Sequence, residues 1–370
     1  MPGLPDIERL LLGPGPSPVA PRVVRAMQAP SLSHLDPDMM ALLGDVSARL
    51  AGVFRAPAGS FCFAVSGTGS AGLEAVVANM VRDRTPVVSV VNGYFGDRLA
   101  LVCERAGGAV RRVTGEWGRA IDPSLLRDAL RAGGAEVVTL VHAETSTGVR
   151  NPAAELCAIA RESGAATIVD TVTSLGAVPV DVAAWQADGV YSCTQKGLGA
   201  PSGLAPVCFS PRAIEMARRS PCRSFYFDLG LLHDYWTARK YHHTISAPLV
   251  YALREALAMV DEEGLDARWA RHERNHLRLV DELSSLGLDL LPPPADRLWT
   301  LNAVRVPDGV DESEVRRALL ERYDIEIGAG LGPLAGKIWR VGLMGNGSTE
   351  RIVLTLRAAL AAILRVGATR

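Results

Sequence analysis

The thirty-nine basic residues of this 370-residue chain include only three lysines: Lys196, Lys240 and Lys337. Lysine, unlike arginine, can lose its proton and form an imine, so each lysine is a candidate for chemistry. Lys196 follows the apolar run 189–192 and precedes a stretch rich in glycine and proline. Asp170 ends the apolar run 166–169 in the same manner. Both side chains are therefore expected at the carboxyl ends of buried strands, where parallel sheets bind their ligands.

A glycine-rich turn adds a third group. The sequence Gly67-Thr-Gly69-Ser-Ala-Gly72 follows a predicted strand and opens a predicted helix, so its backbone N–H groups suit a phosphate. Dinucleotide sites share this pattern, but they end the next strand in an acid, and here that strand is followed by Asn92 and Gly93. Phosphate binding is therefore favoured over NAD binding, with a simple tight turn as the alternative.

These three groups are the ones that pyridoxal 5′-phosphate requires. A lysine holds the aldehyde as an imine, an aspartate keeps the ring nitrogen protonated, and a turn at a helix N-terminus anchors the phosphate. Taken singly, Asp170 could be a helix cap and Lys196 part of a structural ion pair. Taken together, the three groups predict pyridoxal 5′-phosphate as the cofactor.

Residues 272–276 match the HExxH motif of zinc hydrolases, with His272 and His276 four positions apart. Four arginines crowd the same segment and would repel a dication: Arg268, Arg271, Arg274 and Arg278. No other histidine is an evident third ligand. We therefore expect the solvated face of a charged helix, and no metal.

Composition excludes several other classes. Hydrophobic residues make up 48% and charged residues 21% of the chain, and the formal net charge is −1, so neither a disordered protein nor a nucleic-acid binder is indicated. No apolar run has the length of a membrane span, and no signal-peptide pattern opens the chain. Six cysteines without a CxxC pair are typical of free thiols in a reducing compartment. We expect a cytoplasmic protein with small-molecule partners and no membrane contact.

Between residues 61 and 210, short apolar runs alternate with amphipathic stretches. The runs are 61–65, 87–91, 137–141, 166–169, 189–192 and 205–209, most of them apolar on both faces, as in strands buried between helices. The predicted helices between them are 70–81, 97–106, 123–132 and 153–163. This alternation predicts an α/β fold with a mostly parallel central sheet flanked by helices.

The pattern changes after residue 245. Two long predicted helices, 249–262 and 265–286, precede three consecutive prolines. Predicted strands 301–306 and 338–343 then alternate with predicted helices 312–321 and 349–368. We assign an N-terminal arm to residues 1–20, a large cofactor-binding domain to 21–262, and a smaller C-terminal α+β domain to 263–370.

Eight segments in order resemble the class V aminotransferases of the alanine–glyoxylate and serine–pyruvate branch. They are residues 12–17, 66–72, 91–96, 144–148, 169–176, 192–196, 241–244 and 340–345. The resemblance runs from about residue 10 to 365. It implies the fold type I architecture of pyridoxal-phosphate-dependent transferases and an active homodimer.

The resemblance also implies a role for each matching residue. Lys196 would form the Schiff base with the cofactor, and Asp170 would bind the pyridinium nitrogen. The phosphate would be held by Thr68, Gly69, Ser70 and Gln195, with Tyr241 and Thr244 of the other subunit. Phe95 and Val172 would sandwich the ring, Thr145 would hydrogen-bond its hydroxyl, and Arg340 with the backbone near Gly15 would bind the substrate carboxylate. Three positions depart from the usual family residues: Phe95 replaces Trp, Thr145 replaces Ser, and Cys193 replaces Gly.

The implied activity is ping-pong transfer of an amino group from a small amino acid, alanine or serine first, to glyoxylate or pyruvate. Aspartate or another donor remains an alternative. A cysteine desulfurase or other lyase is less favoured because the glycine-rich stretch 328–336 contains no cysteine. A regulator without catalysis is less favoured because Lys196 and Arg340 are both present.

Overall fold

The computed structural model describes residues 8–219 and 221–367. Its helices in these ranges are α1 (Pro21–Ala26), α2 (Pro37–Phe54), α3 (Gly69–Met80), α4 (Tyr94–Arg105), α5 (Pro123–Ala132), α6 (Ala153–Glu162), α7 (Val182–Trp185), α8 (Pro211–Arg218), α9 (Leu229–Ala238), α10 (Ala247–Glu263), α11 (Leu265–Ser284), α12 (Glu312–Tyr323) and α13 (Glu350–Gly367). Its strands are β1 (Leu10–Leu11), β2 (Phe61–Ser66), β3 (Pro86–Val91), β4 (Ala109–Thr114), β5 (Val137–Val141), β6 (Ala143–Glu144), β7 (Val149–Arg150), β8 (Ala166–Asp170), β9 (Gly189–Tyr191), β10 (Leu204–Phe209), β11 (Leu301–Arg305), β12 (Ile325–Glu326), β13 (Gly328–Ala329) and β14 (Ile338–Gly342).

The large sheet has seven strands in the order β2-β10-β9-β8-β5-β3-β4. Only β10 runs antiparallel to its neighbours, which confirms the predicted mostly parallel sheet. The register aligns the ends of three adjacent strands, because Asp170 pairs with Val141 on one side and with Tyr191 on the other. All six predicted apolar runs are strands of this sheet, and helices cover both of its faces.

A single continuous hydrophobic core joins the sheet to its helices. Helix α2 shows how the chain builds this packing. Pro37 occupies its first turn, and Asp36 caps it by accepting a hydrogen bond from the Asp38 N–H. Its buried face, which includes Leu43 and Leu50, packs in the same core as the strands. The sheet edge that carries the strand ends is thereby fixed on a rigid support.

A second hydrophobic core lies around the three-stranded sheet β11-β14-β13 and helices α11, α12 and α13. Leu12, from the segment before α1, is fully buried in it, and β1 pairs in parallel with β12. The predicted domain boundary at 262/263 falls at the last residue of α10, just before α11, and stays a prediction. Residues 1–7 of the predicted arm and 368–370 of the predicted small domain lie outside the described residues. Over the described ranges, no helix has both the length and the apolar character needed to span a bilayer.

Candidate active site

A cavity of about 160 Å³ opens at the carboxyl ends of the central parallel strands. The residues that line it are Thr68, Gly69, Ser70, Leu73, Phe95, Arg98, Ala143, Thr145, Asp170, Val172, Tyr191, Cys193, Gln195 and Lys196. All nine cofactor residues predicted to act within one chain are in this set. Tyr241 and Thr244, predicted to act on the other subunit, are not. The topology of the sheet therefore brings together residues that are up to 128 positions apart in the sequence.

The turn between β2 and α3 forms one wall of the cavity. Gly67 has a φ of +139°, a conformation that L side chains rarely adopt, and its N–H donates to the Gly203 carbonyl at 2.9 Å. Thr68 is the N-cap residue of α3, and its hydroxyl makes no capping hydrogen bond. The Gln195 side-chain amide makes no hydrogen bond with any described residue, and its oxygen is buried. Uncharged donors at a helix N-terminus, with an unengaged amide beside them, fit a phosphate group.

Asp170 lies on the cavity floor, where β8 ends. One of its carboxylate oxygens accepts a hydrogen bond from the Val172 N–H at 2.8 Å, and the other accepts one from the Tyr191 hydroxyl at 2.7 Å. Burial raises the pKa of Asp170 to about 7, although both hydrogen bonds oppose the rise. The two hydrogen bonds therefore hold the carboxylate in one orientation. A cationic partner would lower the free energy needed to ionise it. The protonated ring nitrogen of pyridoxal phosphate is such a partner.

The Lys196 side chain lines the same cavity and is half-buried. Its Nζ donates a hydrogen bond to the Pro14 carbonyl, and a Cβ added at Gly15 would collide with it. Burial lowers the pKa of Lys196, and the charge of Arg340 lowers it further. A lowered pKa increases the fraction of neutral amine, which is the form that attacks a carbonyl or accepts a proton. Lysine, aspartate and turn together fit pyridoxal phosphate.

Glu144 is a site residue that the sequence analysis did not single out. Its carboxylate is fully buried and accepts hydrogen bonds from the backbone N–H groups of Phe95 at 3.4 Å, Gly96 at 3.1 Å and Ser146 at 3.0 Å. It thus ties the segment that carries Thr145 to the N-terminus of α4, which carries Phe95. Burial raises the pKa of Glu144. The available signal was an acid inside the otherwise uncharged stretch 137–149.

Two further side chains of the site, Tyr191 and Arg98, were not predicted from the sequence. The Tyr191 hydroxyl binds Asp170, and a tyrosine within an apolar strand carries no distinguishing signal. Arg98 lines the cavity one helical turn after Phe95. Its spacing from Phe95 could have indicated that it shares the face of α4 that carries the aromatic ring.

Arg340 lies on β14 with only 7% of its surface exposed. Its Nε donates to the Ala329 carbonyl at 2.6 Å, and it makes no ion pair with any carboxylate in the ranges that the structure describes. Burial lowers the pKa of Arg340 to about 10, so the guanidinium stays charged at neutral pH. Among the described residues, Arg340 is therefore a buried cation without a carboxylate partner.

The segment around Gly15 lies between Arg340's strand and Lys196. The Leu12 carbonyl accepts a hydrogen bond from the Gly342 N–H, and the Ser17 hydroxyl donates to the Lys196 carbonyl, each at 2.8 Å. Gly15 itself has a φ of +113°. This segment therefore connects the two halves of the site.

Tyr241 and Thr244 follow α9 and are exposed on the surface of the chain. The Tyr241 side chain is 63% exposed. Between them, His243 binds the Ser66 hydroxyl through its Nε2 at 2.8 Å, just before the glycine-rich turn. The segment thus lies near the turn, and these two side chains do not line the cavity.

The HExxH motif lies on α11, but its setting differs from the predicted solvated face. His272 and His276 are both buried. His272 Nδ1 is hydrogen-bonded to the Arg268 carbonyl and His276 Nδ1 to the Asn302 side chain. The expectation of a solvated face was wrong because this side of α11 packs into the protein. In the described part of the chain, no three potential ligands come together to hold a metal ion.

Comparisons with known proteins agree with this geometry. The family model described as aminotransferase class V matches residues 9–358. The chain is 35% identical to alanine–glyoxylate aminotransferase of Drosophila melanogaster, covering 94% of this chain and 90% of the relative. It is 34% identical to (S)-ureidoglycine–glyoxylate transaminase of Bacillus subtilis, covering 96% and 90%. Its fold matches the crystal structure of alanine–glyoxylate aminotransferase from Nostoc sp. with a TM-score of 0.95 and 44% identity over 98% of this chain and 97% of that one.

These matches confirm the predicted fold type I architecture, the aminotransferase activity and the pyridoxal phosphate cofactor. They leave the amino donor open, because the names of the relatives share glyoxylate and differ in the donor. The chain belongs to the class V family of aminotransferases.

Proposed function

We propose that this aminotransferase carries the amino group of a small amino acid, alanine or serine first, to glyoxylate or pyruvate. The observation that carries the proposal is Arg340, a buried cation without a carboxylate partner among the described residues and close enough to Lys196 to lower its pKa. A guanidinium in this setting suits one α-carboxylate, which it can bind with two parallel hydrogen bonds. One such group favours small monocarboxylic donors over aspartate.

Bound pyridoxal phosphate supplies a reactive aldehyde and a ring that accepts electron density from the substrate Cα. Lys196 would hold this aldehyde through its Nζ, and as a free amine it would move a proton between the substrate Cα and C4′ of the cofactor. Asp170 would hold the proton on the ring nitrogen. The same residues would bind the amino acid in the first half-reaction and the 2-oxo acid in the second.

The remaining residues bind and orient. Phe95 and Val172 would flank the cofactor ring, and Thr145, whose hydroxyl is 2.5 Å from that of Thr173, would bind the ring hydroxyl. The phosphate would be held by Thr68, Gly69, Ser70 and Gln195. The backbone at Gly15 would bind the substrate carboxylate together with Arg340.

Borohydride reduction tests the assignment of Lys196. The purified enzyme should be yellow, and reduction should fix one cofactor per chain to the peptide that contains Lys196. Lys196→Ala should abolish this labelling, whereas Lys240→Ala should not, because Lys240 is exposed and paired with Asp234 at 2.7 Å. Label on Lys240 or Lys337 would refute the assignment.

A panel of amino donors tests the substrate. Alanine, serine, aspartate and ureidoglycine are each assayed against glyoxylate and pyruvate, with coupled detection of the 2-oxo acid formed. The proposal expects alanine or serine to have the highest kcat/KM. A preference of tenfold or more for aspartate or ureidoglycine, about 1.4 kcal/mol, would replace it with that donor.

We further propose that the active unit is a homodimer in which Tyr241 and Thr244 reach the phosphate of the neighbouring subunit. Both side chains are exposed and absent from the cavity of their own chain. Phe225, in the same region, is 71% exposed. An exposed aromatic surface of this kind is typical of an interface between subunits.

Mixing two inactive variants tests the shared site. One variant is Lys196→Ala, and the other is the double variant Tyr241→Ala, Thr244→Ala. If the two side chains act across the interface, mixed dimers contain one complete site, and activity should recover to about a quarter of the wild-type value. If they act within their own chain, no complete site forms and activity stays at the background level. A monomer with full activity would also refute the proposal.

A cytoplasmic location is also proposed. All six cysteines are free thiols, and five of them are buried. Such thiols are typical of proteins in a reducing compartment. Fractionation of cells that express the native chain tests this.

A further inference from the structure

The predicted phosphate ligands of this chain are all uncharged. Thr68, Gly69, Ser70 and Gln195 offer hydroxyl, amide and backbone N–H groups, whereas a phosphate monoester carries nearly two negative charges at pH 7. Among the residues that line the cavity, the only cations are Lys196 and Arg98. The Lys196 amine is engaged with the Pro14 carbonyl. Arg98 is therefore the cation available to balance the phosphate.

Two aromatic rings hold Arg98 in position, but no carboxylate among the described residues pairs with it. Its guanidinium carbon is 5.2 Å from the centre of the Phe95 ring and 5.3 Å from that of Tyr94, within the range of cation–π contacts. It makes no hydrogen bond or ion pair with a carboxylate in residues 8–219 and 221–367. The adjacent Asp97 is already paired with Arg112 at 2.8 Å. The Arg98 donors are thus free to bind an anion in the cavity.

The position of Arg98 favours the phosphate over a substrate carboxylate. Arg98 lies one turn into α4, and Leu73, which lines the same cavity, lies one turn into α3, whose N-terminus is the phosphate turn. Arg340, the proposed carboxylate ligand, does not line this cavity and lies on β14 beside the Gly15 segment. We infer that Arg98 binds the phosphate of the cofactor and supplies the positive charge that its other ligands lack. This inference rests on the cofactor assigned above.

Titration of the apoprotein with two probes tests it. Pyridoxal 5′-phosphate and pyridoxal differ only in the phosphate, so the ratio of their dissociation constants isolates its contribution. Arg98→Gln should weaken pyridoxal 5′-phosphate by about 10- to 100-fold, as expected for the loss of a charge-assisted hydrogen bond, and should change pyridoxal affinity by less than about twofold. Arg98→Lys should recover part of the loss, because it keeps the charge without the planar fork.

Arg105→Gln is the matched control. Arg105 ends the same helix, is exposed and does not line the cavity, so both affinities should stay at wild-type values. Thermal unfolding of each variant shows whether the fold is intact, and Arg98→Lys carries the test if Arg98→Gln does not fold.

Three results would overturn the inference. An equal loss of affinity for both probes would mean that Arg98 acts through the Phe95 ring. Unchanged cofactor affinity with a raised KM for a dicarboxylic donor would assign Arg98 to the substrate. A wild-type apoprotein that binds neither probe would overturn the cofactor itself, and the inference with it.

Discussion

Replacing Arg340 with alanine should lower kcat/KM for both half-reactions by roughly 30- to 4,000-fold. Arg340 is 7% exposed and remains charged at pH 7, because burial lowers its pKa only to about 10. Removal of one member of a desolvated, hydrogen-bonded charge pair costs about 2–5 kcal/mol, and each 1.4 kcal/mol is about tenfold in rate. Both half-reactions should be affected, because every substrate carries the same α-carboxylate.

The assay is single-turnover kinetics of each half-reaction, followed through the absorbance of the cofactor. Arg340→Lys should recover only part of the rate, since lysine keeps the charge and loses the bidentate geometry. Arg305→Ala is the control, because Arg305 is exposed on the adjacent strand β11. Cofactor absorbance and retention should be nearly unchanged in all three. If Arg340→Ala keeps both half-reactions within about threefold of wild type, the carboxylate is bound elsewhere and the assignment is wrong.

Three further predictions concern the surroundings of the cofactor. Gly15→Ala should reduce kcat/KM at least about tenfold, because its φ is +113° and a Cβ would collide with Lys196. Gly13→Ala, whose Cβ would be 3.7 Å from its nearest neighbour, should keep wild-type activity, and equal activity of the two variants would contradict the proposed contact. For Asp170, the pKa of about 7 in the folded chain lies above the ordinary value of 3.8, so the carboxyl group of the unfolded chain ionises first. The stability of the apoprotein should therefore fall as pH rises from about 4 to about 7. Asp170→Asn should remove up to about 4 kcal/mol of this pH-dependent loss of unfolding free energy, at 1.36 kcal/mol per pH unit, as measured by urea unfolding. A stability difference between variant and wild type that does not change with pH would contradict this prediction. Glu144→Gln should destabilise the fold by about 1–3 kcal/mol in thermal unfolding and weaken cofactor binding, because a side-chain NH₂ group would then face backbone N–H groups. An unchanged melting temperature and cofactor affinity would show that the carboxylate does not fix α4.

Much of the large sheet is predictable because its strands are buried on both faces and are therefore uniformly apolar. Strand β4 is the exception, at the edge of the sheet. It carries Arg111 and Arg112, with four of its six residues exposed, so its sequence lacks an apolar run. Helix α2 was also missed. Its apolar face is regular, but the strand–helix alternation that guided the prediction begins only after it.

The cavity residues likewise include some that the sequence pattern predicts and others that it does not. Lys196 and Asp170 could be predicted because each is a charged residue that closes an apolar run, and the ends of parallel strands meet at one sheet edge. Glu144 could not be predicted in the same way. Its function depends on which backbone N–H groups face it, and two of these three belong to α4, about fifty positions earlier. Its carboxylate is a ligand of the backbone, and such a role leaves no pattern in side-chain spacing.

Four charged side chains of the site destabilise the fold when no ligand is bound, and the ligands relieve part of this destabilisation. Burial raises the pKa values of Asp170 and Glu144 and lowers those of Lys196 and Arg340, so burial disfavours the charged form of all four groups. The neighbouring protein groups only partly compensate. The ring nitrogen of the cofactor offers Asp170 a positive charge, and the substrate carboxylate offers Arg340 a negative one. Each ligand charge therefore reduces the free-energy cost of burying a charged side chain. This reduction contributes to the binding free energy, and ligand binding must stabilise the fold by the same amount.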